Sequence, residues 1–180
     1  MNKVSTIEHN EVSIKAANDL IDEVEYMMIN EMVESGEFVL IQAPLKHEFS
    51  DGLYTRTIKM PANSRFTTLV HKYSHPFFVL IGKVAVFSEN DSAQIIEAPY
   101  RSITKSGTRR VLHVLEETVW STVHRTDIVP ENNSKEAIEK AAELVLNEIT
   151  IPYENKLLGG HYRNSVFIKT TPELDNQKKL

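Results

Sequence analysis

Apolar residues recur in three different rhythms along the chain. Near the N-terminus Ile14, Ala17, Ile21, Val24, Met28 and Met32 follow one another at spacings of three and four, the period of one helical face. Asp22, Glu23, Glu25, Asn30 and Glu31 fill the other positions. Ser13 is placed to cap this helix and Gly36 to stop it. Its stripe suits either docking on a core or self-association. From 37 to 127 the rhythm shortens to apolar runs at 38–41, 53–60, 67–72, 77–81, 84–87, 94–97, 111–115 and 118–123. Pro44, Asp51-Gly52, Gly82, Asn90, Pro99 and Ser106-Gly107 punctuate them. Short strands with such turns predict an all-β barrel or sandwich. No ten-residue helical pattern interrupts them, which argues against a parallel βαβ sheet.

The third rhythm is helical again. Ile138, Ala141, Val145 and Ile149 form its stripe, and Asn133-Ser134 can cap it, with Glu136 in capping-box register to Asn133. Glu136 and Lys140 are spaced as a favourable ion pair. Pro152 closes the element, Gly159-Gly160 marks a turn, and 162–170 reads as a last short strand before a tail at 175–180 that we expect to be disordered. Three segments follow: a helical one at 1–36, a β domain at 37–127, and a C-terminal helix and tail at 128–180.

Composition narrows the chemistry. The 180 residues suffice for one domain with a sizeable core. There is no cysteine, which removes thiol nucleophiles, disulfides and cysteine-ligated metal clusters together. The net charge of −5 argues against a general phosphate-backbone binder, so no nucleic-acid partner is expected. The first twenty residues hold Lys3, Glu8, Glu11, Lys15 and Asp19 without an apolar core, so no signal peptide is expected. The apolar run at 77–81 is too short to span a bilayer. The expectation is a cytoplasmic chain without a membrane partner.

Seven histidines are the unusual resource. His71 and His75 are four apart, so on a strand both point to one face. His113 and His124 fall on later strands, and a barrel can bring side chains from several strands to one point. Imidazole binds zinc, iron, nickel and copper. The nearest acidic candidates, Glu97, Glu116 and Glu117, occupy no obvious ligand position, and the last two read as turn residues.

The stretch from His71 through His75 to Gly82 resembles the first cupin motif, His-x-His, three or four residues, Glu, six residues, Gly. His71 matches the second histidine, His75 stands at the glutamate, Gly82 at the glycine, and Leu69 at the first histidine. The turn at Ser106-Gly107 is similar to the second motif, Pro-x-Gly-x-x-His, with Arg110 at the histidine. Leu69 cannot bind metal, and Arg110 keeps its charge and offers no lone pair. The usual four-ligand site is therefore absent, while a site of His71, His75 and His124 stays open. Ala98-Pro99-Tyr100, Lys105 to Val111, and Trp120-x-x-x-His124 are similar to cupin-like proteins of tailed bacteriophages and prophages.

The resemblance implies a mainly β fold: a single antiparallel cupin β-barrel, or jelly roll, with an amphipathic helix at each end. It places His71, His75, His124, Arg110 and Trp120 near one barrel mouth, with Arg109 and Arg65 adding positive charge. A buried arginine needs an internal carboxylate or a ligand anion. Three functions are in contention, and the first is the expected one. The first is a binding or assembly module with a degenerate metal site. In a phage setting it would belong to the virion or act in the host cytoplasm, as a dimer or larger oligomer with a phage structural or host protein partner. The second is a metal-dependent oxygenase or isomerase using His71, His75 and His124. The third is a small-anion or nucleotide binder built on Arg110, with Arg109 and Trp120 contributing. The cofactor expectation is none or one divalent ion of zinc, iron, nickel or manganese.

Overall fold

In the computed structural model, residues 20–31, 34, 38–40, 43–88, 91–152, 157 and 167–170 are described. Helix α1 occupies 20–31. Ile14, Ala17, Met32, the Ser13 cap, the Gly36 stop, His9, His161 and the tail at 175–180 lie outside the described residues. Nine strands follow: β1 (Phe38–Leu40), β2 (Leu45–Ser50), β3 (Leu53–Met60), β4 (Ser64–Thr67), β5 (His75–Ser88), β6 (Asp91–Glu97), β7 (Tyr100–Thr104), β8 (Arg110–Arg125) and β9 (Phe167–Thr170). Helix α2 (Lys135–Ile149) lies between β8 and β9. The chain is thus mainly β, with antiparallel pairing throughout.

Two long strands organise the sheet. The first half of β5 pairs with β7 and with the second half of β8, which in turn pairs with β3 and then β2. The second half of β5 pairs with β6 and with the first half of β8, followed by β4, β9 and β1. The register slips where both strands turn from one half-sheet into the other, around Ile81–Val84 and Glu116–Val119. Gly82 makes this corner feasible. Its φ is +90°, and a Cβ there would sit 2.1 Å from the Glu117 carbonyl oxygen, closer than any side chain tolerates.

The runs expected as separate strands at 77–81 and 84–87 are therefore one bent strand, as are 111–115 and 118–123. The turn expected at Glu116-Glu117 is the bend itself. The half-sheets face one another over Met60, Phe66, Phe77, Val79, Val84, Val86, Leu112, Val114 and Trp120. The described strand path does not return on itself, so the expected closed barrel is an open one. The sheet also draws β9 from the C-terminal segment, beyond the β domain expected at 37–127.

Both helices dock on this frame. In α1 the buried positions are Ile21, Asp22, Glu25, Met28 and Ile29, which is a helical stripe containing two carboxylates. Asp22 and Glu25, expected on the solvent face, both pair with Arg109. Helix α2 is capped by Ser134, whose hydroxyl accepts from the Ala137 amide. Its Ala142, Val145 and Ile149 pack on Tyr54 of β3. Lys140 pairs with Glu131 at 3.1 Å and not with Glu136. The end of α2 is laced to the segment before β5. Lys72 donates to the Ile149 carbonyl, Ile151 donates to Val70, and His71 forms a bridge with Thr150.

Candidate metal centre

On β3, Tyr54, Arg56, Ile58 and Met60 share the inner face by parity. The registers align them in rows with neighbouring strands. Tyr54 lies opposite His124, Arg56 opposite Thr122, and Ile58 opposite Trp120. Thr122 in turn lies opposite Phe77, and Trp120 opposite Val79, while His75 lies opposite Thr104. The polar groups are gathered at one end of the face, and the rows below it are apolar.

His71 joins this end from the segment between β4 and β5, where 67–72 was expected to be a strand. The strand stops at Thr67, and the next residues are pinned from two sides. Gly107, at φ +76°, donates its amide to the His71 carbonyl, and the Ser106 hydroxyl donates to Lys72 at 2.6 Å. From the other side come the bonds to Ile149 and Ile151.

The result is a triangle of imidazoles. Ring centroids lie 4.4 Å apart for His71 and His75, 5.0 Å for His71 and His124, and 4.3 Å for His75 and His124. One nitrogen from each ring lies within 4.8 Å of the other two. All three are nearly sealed from solvent, at 9%, 4% and 5% exposure. Burial and neighbouring positive charge push His71 and His124 down to about 3 and lower His75 as well. The imidazoles are therefore neutral at neutral pH, the form that binds a metal. The backbone holds His71 and His75, while His124 Nε2 lies 3.1 Å from the Thr122 hydroxyl. His75 Nδ1 lies 3.2 Å from the Tyr73 carbonyl, which leaves Nε2 free for a ligand. His71 is hydrogen-bonded to the Leu69 backbone. Metal-binding histidines are held by outer contacts of this kind.

Two cavities meet at the cluster. The inner one, about 80 Å³, is lined by His71, His75, Arg56, Arg110, Trp120 and Leu69 among others. The outer groove, about 560 Å³, touches His75 and His124 and is rimmed by Asp127 and Glu148. Among the described residues no aspartate or glutamate lines the inner cavity.

Arg110 donates to the Thr104 hydroxyl at 3.0 Å, and its guanidinium carbon lies 5.1 Å from the Phe77 ring centre. Trp120 stacks on Phe77 at 4.4 Å and also lines the inner cavity. Arg109 is placed elsewhere. Its guanidinium donates to Asp22 at 2.8 Å and to Glu25, so helix α1 neutralises it away from the histidines. Its expected role in an anion site does not fit that position. Arg65 pairs with Glu31 at 3.3 Å, and His113 lies opposite Arg65, outside the cluster.

Arg56 escaped the sequence reading. The signal was available in the alternation of Tyr54, Arg56, Ile58 and Met60, which puts a guanidinium in phase with apolar neighbours.

No protein-family model matches the sequence, and no curated protein matches it. Solved structures do. A cupin-family protein with a double-stranded β-helix fold from Methanocaldococcus jannaschii is similar at 6% identity and TM-score 0.41, over 47% of this chain and 81% of that one. The cupin domain of Schizosaccharomyces pombe Cnp3 is similar at 20% identity and TM-score 0.40, over 49% and 64%. An acetylacetone dioxygenase from Acinetobacter johnsonii is similar at 18% identity and TM-score 0.40, over 50% and 68%. Among the described residues no helix is long and apolar enough to cross a membrane.

Proposed function

We propose that this chain is a metal-binding protein whose centre is His71, His75 and His124, and that it acts on or binds a small molecule there. The observation that carries this reading is the convergence of three buried, neutral imidazoles, with one nitrogen of each within 4.8 Å of the others. Two ligands on a tetrahedral ion with bonds of about 2.1 Å lie about 3.4 Å apart, a distance that small ring rotations reach. The donor set fits. Three nitrogen ligands and no carboxylate suit zinc, iron or nickel with positions left open. When bound, such an ion supplies Lewis-acid activation of a ligand oxygen or nitrogen.

The chain's own residues do the rest. Ile58, Leu69, Leu112 and Trp120 supply apolar wall to the inner cavity. The Tyr73 carbonyl orients the His75 ring, the Leu69 backbone that of His71, and the Thr122 hydroxyl that of His124. The outer groove gives solvent and ions a path to His75 and His124.

A helical apolar stripe serves self-association only where it is exposed. In the structure Ile21, Met28 and Ile29 of α1, and Val145 and Ile149 of α2, are buried within this chain, which leaves the histidine cluster as the better-supported basis for function.

Zinc binding tests the proposal. A ligand that binds only the native state at a hundred times its dissociation constant stabilises it by about 2.7 kcal/mol. We expect zinc to raise the melting temperature of chelator-treated protein. His71→Ala, His75→Ala and His124→Ala should each abolish that rise. A zinc response that survives all three substitutions contradicts the site.

A further inference from the structure

Among the described residues, the Nε of Arg56 is the single buried side-chain nitrogen or oxygen without a hydrogen-bond partner. No carboxylate pairs with its guanidinium among those residues. An orphaned charged donor costs more than a neutral one, because its hydration is lost without replacement. Burial lowers the Arg56 pKa accordingly. Arg110 enters the same cavity from the other half-sheet, and its described partners are a hydroxyl and an aromatic ring, neither of which carries a negative charge. Two guanidiniums thus face an inner cavity of about 80 Å³ without a lining carboxylate. A dication bound there would deepen the positive charge, and among the described residues nothing in the pocket offsets it.

We propose that Arg56 and Arg110 form a cradle for the carboxylate of a small ligand, seated beside the three histidines in the inner cavity. The role of that ligand as metal partner or substrate rests on the metal reading above, whereas the cradle itself rests on Arg56 and Arg110. The cavity has room for more than one water, and hence for a head group of a few non-hydrogen atoms. Guanidinium matches a planar carboxylate through paired N–H donors. The sealed Nε of Arg56 supplies one such donor, and among the described residues the cavity walls offer no competing acceptor with charge.

The chain carries its own reporter, because its single tryptophan, Trp120, lines the cavity. The test titrates the full-length, chelator-treated protein with sodium acetate, with sodium chloride at matched ionic strength as control. Trp120 emission and the melting temperature are followed together. Acetate is expected to give a saturable emission change and a higher melting temperature, and chloride neither. Arg56→Met and Arg110→Met are each expected to weaken acetate by about tenfold or more, the loss of one charge-assisted hydrogen bond. Arg56→Met is also expected to raise the melting temperature of the ligand-free protein, which an arginine with only a structural role would lower. Arg56→Lys is expected to restore part of the acetate response.

A wild-type protein without a saturable acetate response overturns the cradle, even if neither methionine variant folds. So does a response that persists in both variants. A response to inorganic phosphate with none to acetate overturns the carboxylate assignment. Zinc uptake without an acetate response removes the cradle and leaves the metal centre. An acetate response without zinc uptake does the reverse.

Discussion

Arg109 and Arg56 both carry charge into the interior, and their surroundings give them opposite energetics. Arg109 is 5% exposed and meets Asp22 and Glu25, while Glu25 also accepts from the Thr67 hydroxyl. Removing one member of such a buried set strands the others. Arg109→Met should therefore cost about 3–5 kcal/mol in urea unfolding, and a variant as stable as the parent would show that the pairing is not formed. Arg56, with no such partner, is expected to behave in the opposite sense on the same substitution. The histidines add a pH dependence. His71 and His124 have folded pKa values of about 3, well below the ordinary value of about 6.5. A depressed pKa means that the unfolded chain takes up the proton first. The stability these groups contribute is full above about pH 6.5 and is lost progressively as pH falls toward 3. In chelator, the double variant His71→Gln with His124→Gln should flatten the urea midpoint across that window relative to the parent. An identical decline in both would remove the histidines as its cause. Legibility at this scale was uneven. His71, His75 and His124 stood out because few residue types bind metals and their spacing put two on one face. Asp22 and Glu25 looked like solvent-facing charge because a helical stripe with carboxylates reads as polar until its counter-ion, 84 to 87 residues away, is placed.

At the scale of elements, the bends decide what meets what. Strands β5 and β8 each serve both half-sheets, and both change course where Gly82 passes the Glu117 carbonyl. Gly82→Ala combines an unfavourable positive φ with a backbone clash, and should destabilise by more than about 2 kcal/mol. Chemical unfolding of the variant measures this, and an unchanged midpoint would mean the corner can form another way. The apolar runs of both strands were visible in the sequence, as was the glycine between two of them. Their continuity was not, because a glycine within an apolar pattern reads as readily as a turn as it does as a bulge. Strands β2 and β7 were missed for a related reason. Leu45–Ser50 and Tyr100–Thr104 mix charge with isolated apolar residues, as edge strands do. Their pairing is dictated by partners on either side of a turn more than by their own pattern. The segment carrying His71 was read as strand from its apolar content. Its actual path is set by the 106–107 turn and by the end of α2, contacts that no local pattern encodes.

For the whole molecule, the antiparallel mainly-β character and the two terminal helices were legible from the three apolar rhythms. The openness of the sheet was not, since closure depends on whether edge strands separated by tens of residues meet. The fold gathers its histidines with Arg56 and Arg110 at one end of the inner face. There, elements from five parts of the chain converge: β3, the segment before β5, β5 itself, β8 and the end of α2. The central claim is that this end holds one metal ion on three histidines. The most direct measurement is a cobalt(II) titration of chelator-treated protein, followed by visible absorption. Cobalt reports the number of sites and the geometry of its ligands. One equivalent per chain, with a d–d spectrum of four- or five-coordinate nitrogen ligation that is absent from His71→Ala, His75→Ala and His124→Ala, is the predicted result. A spectrum that stays that of the hydrated ion through the titration would contradict it.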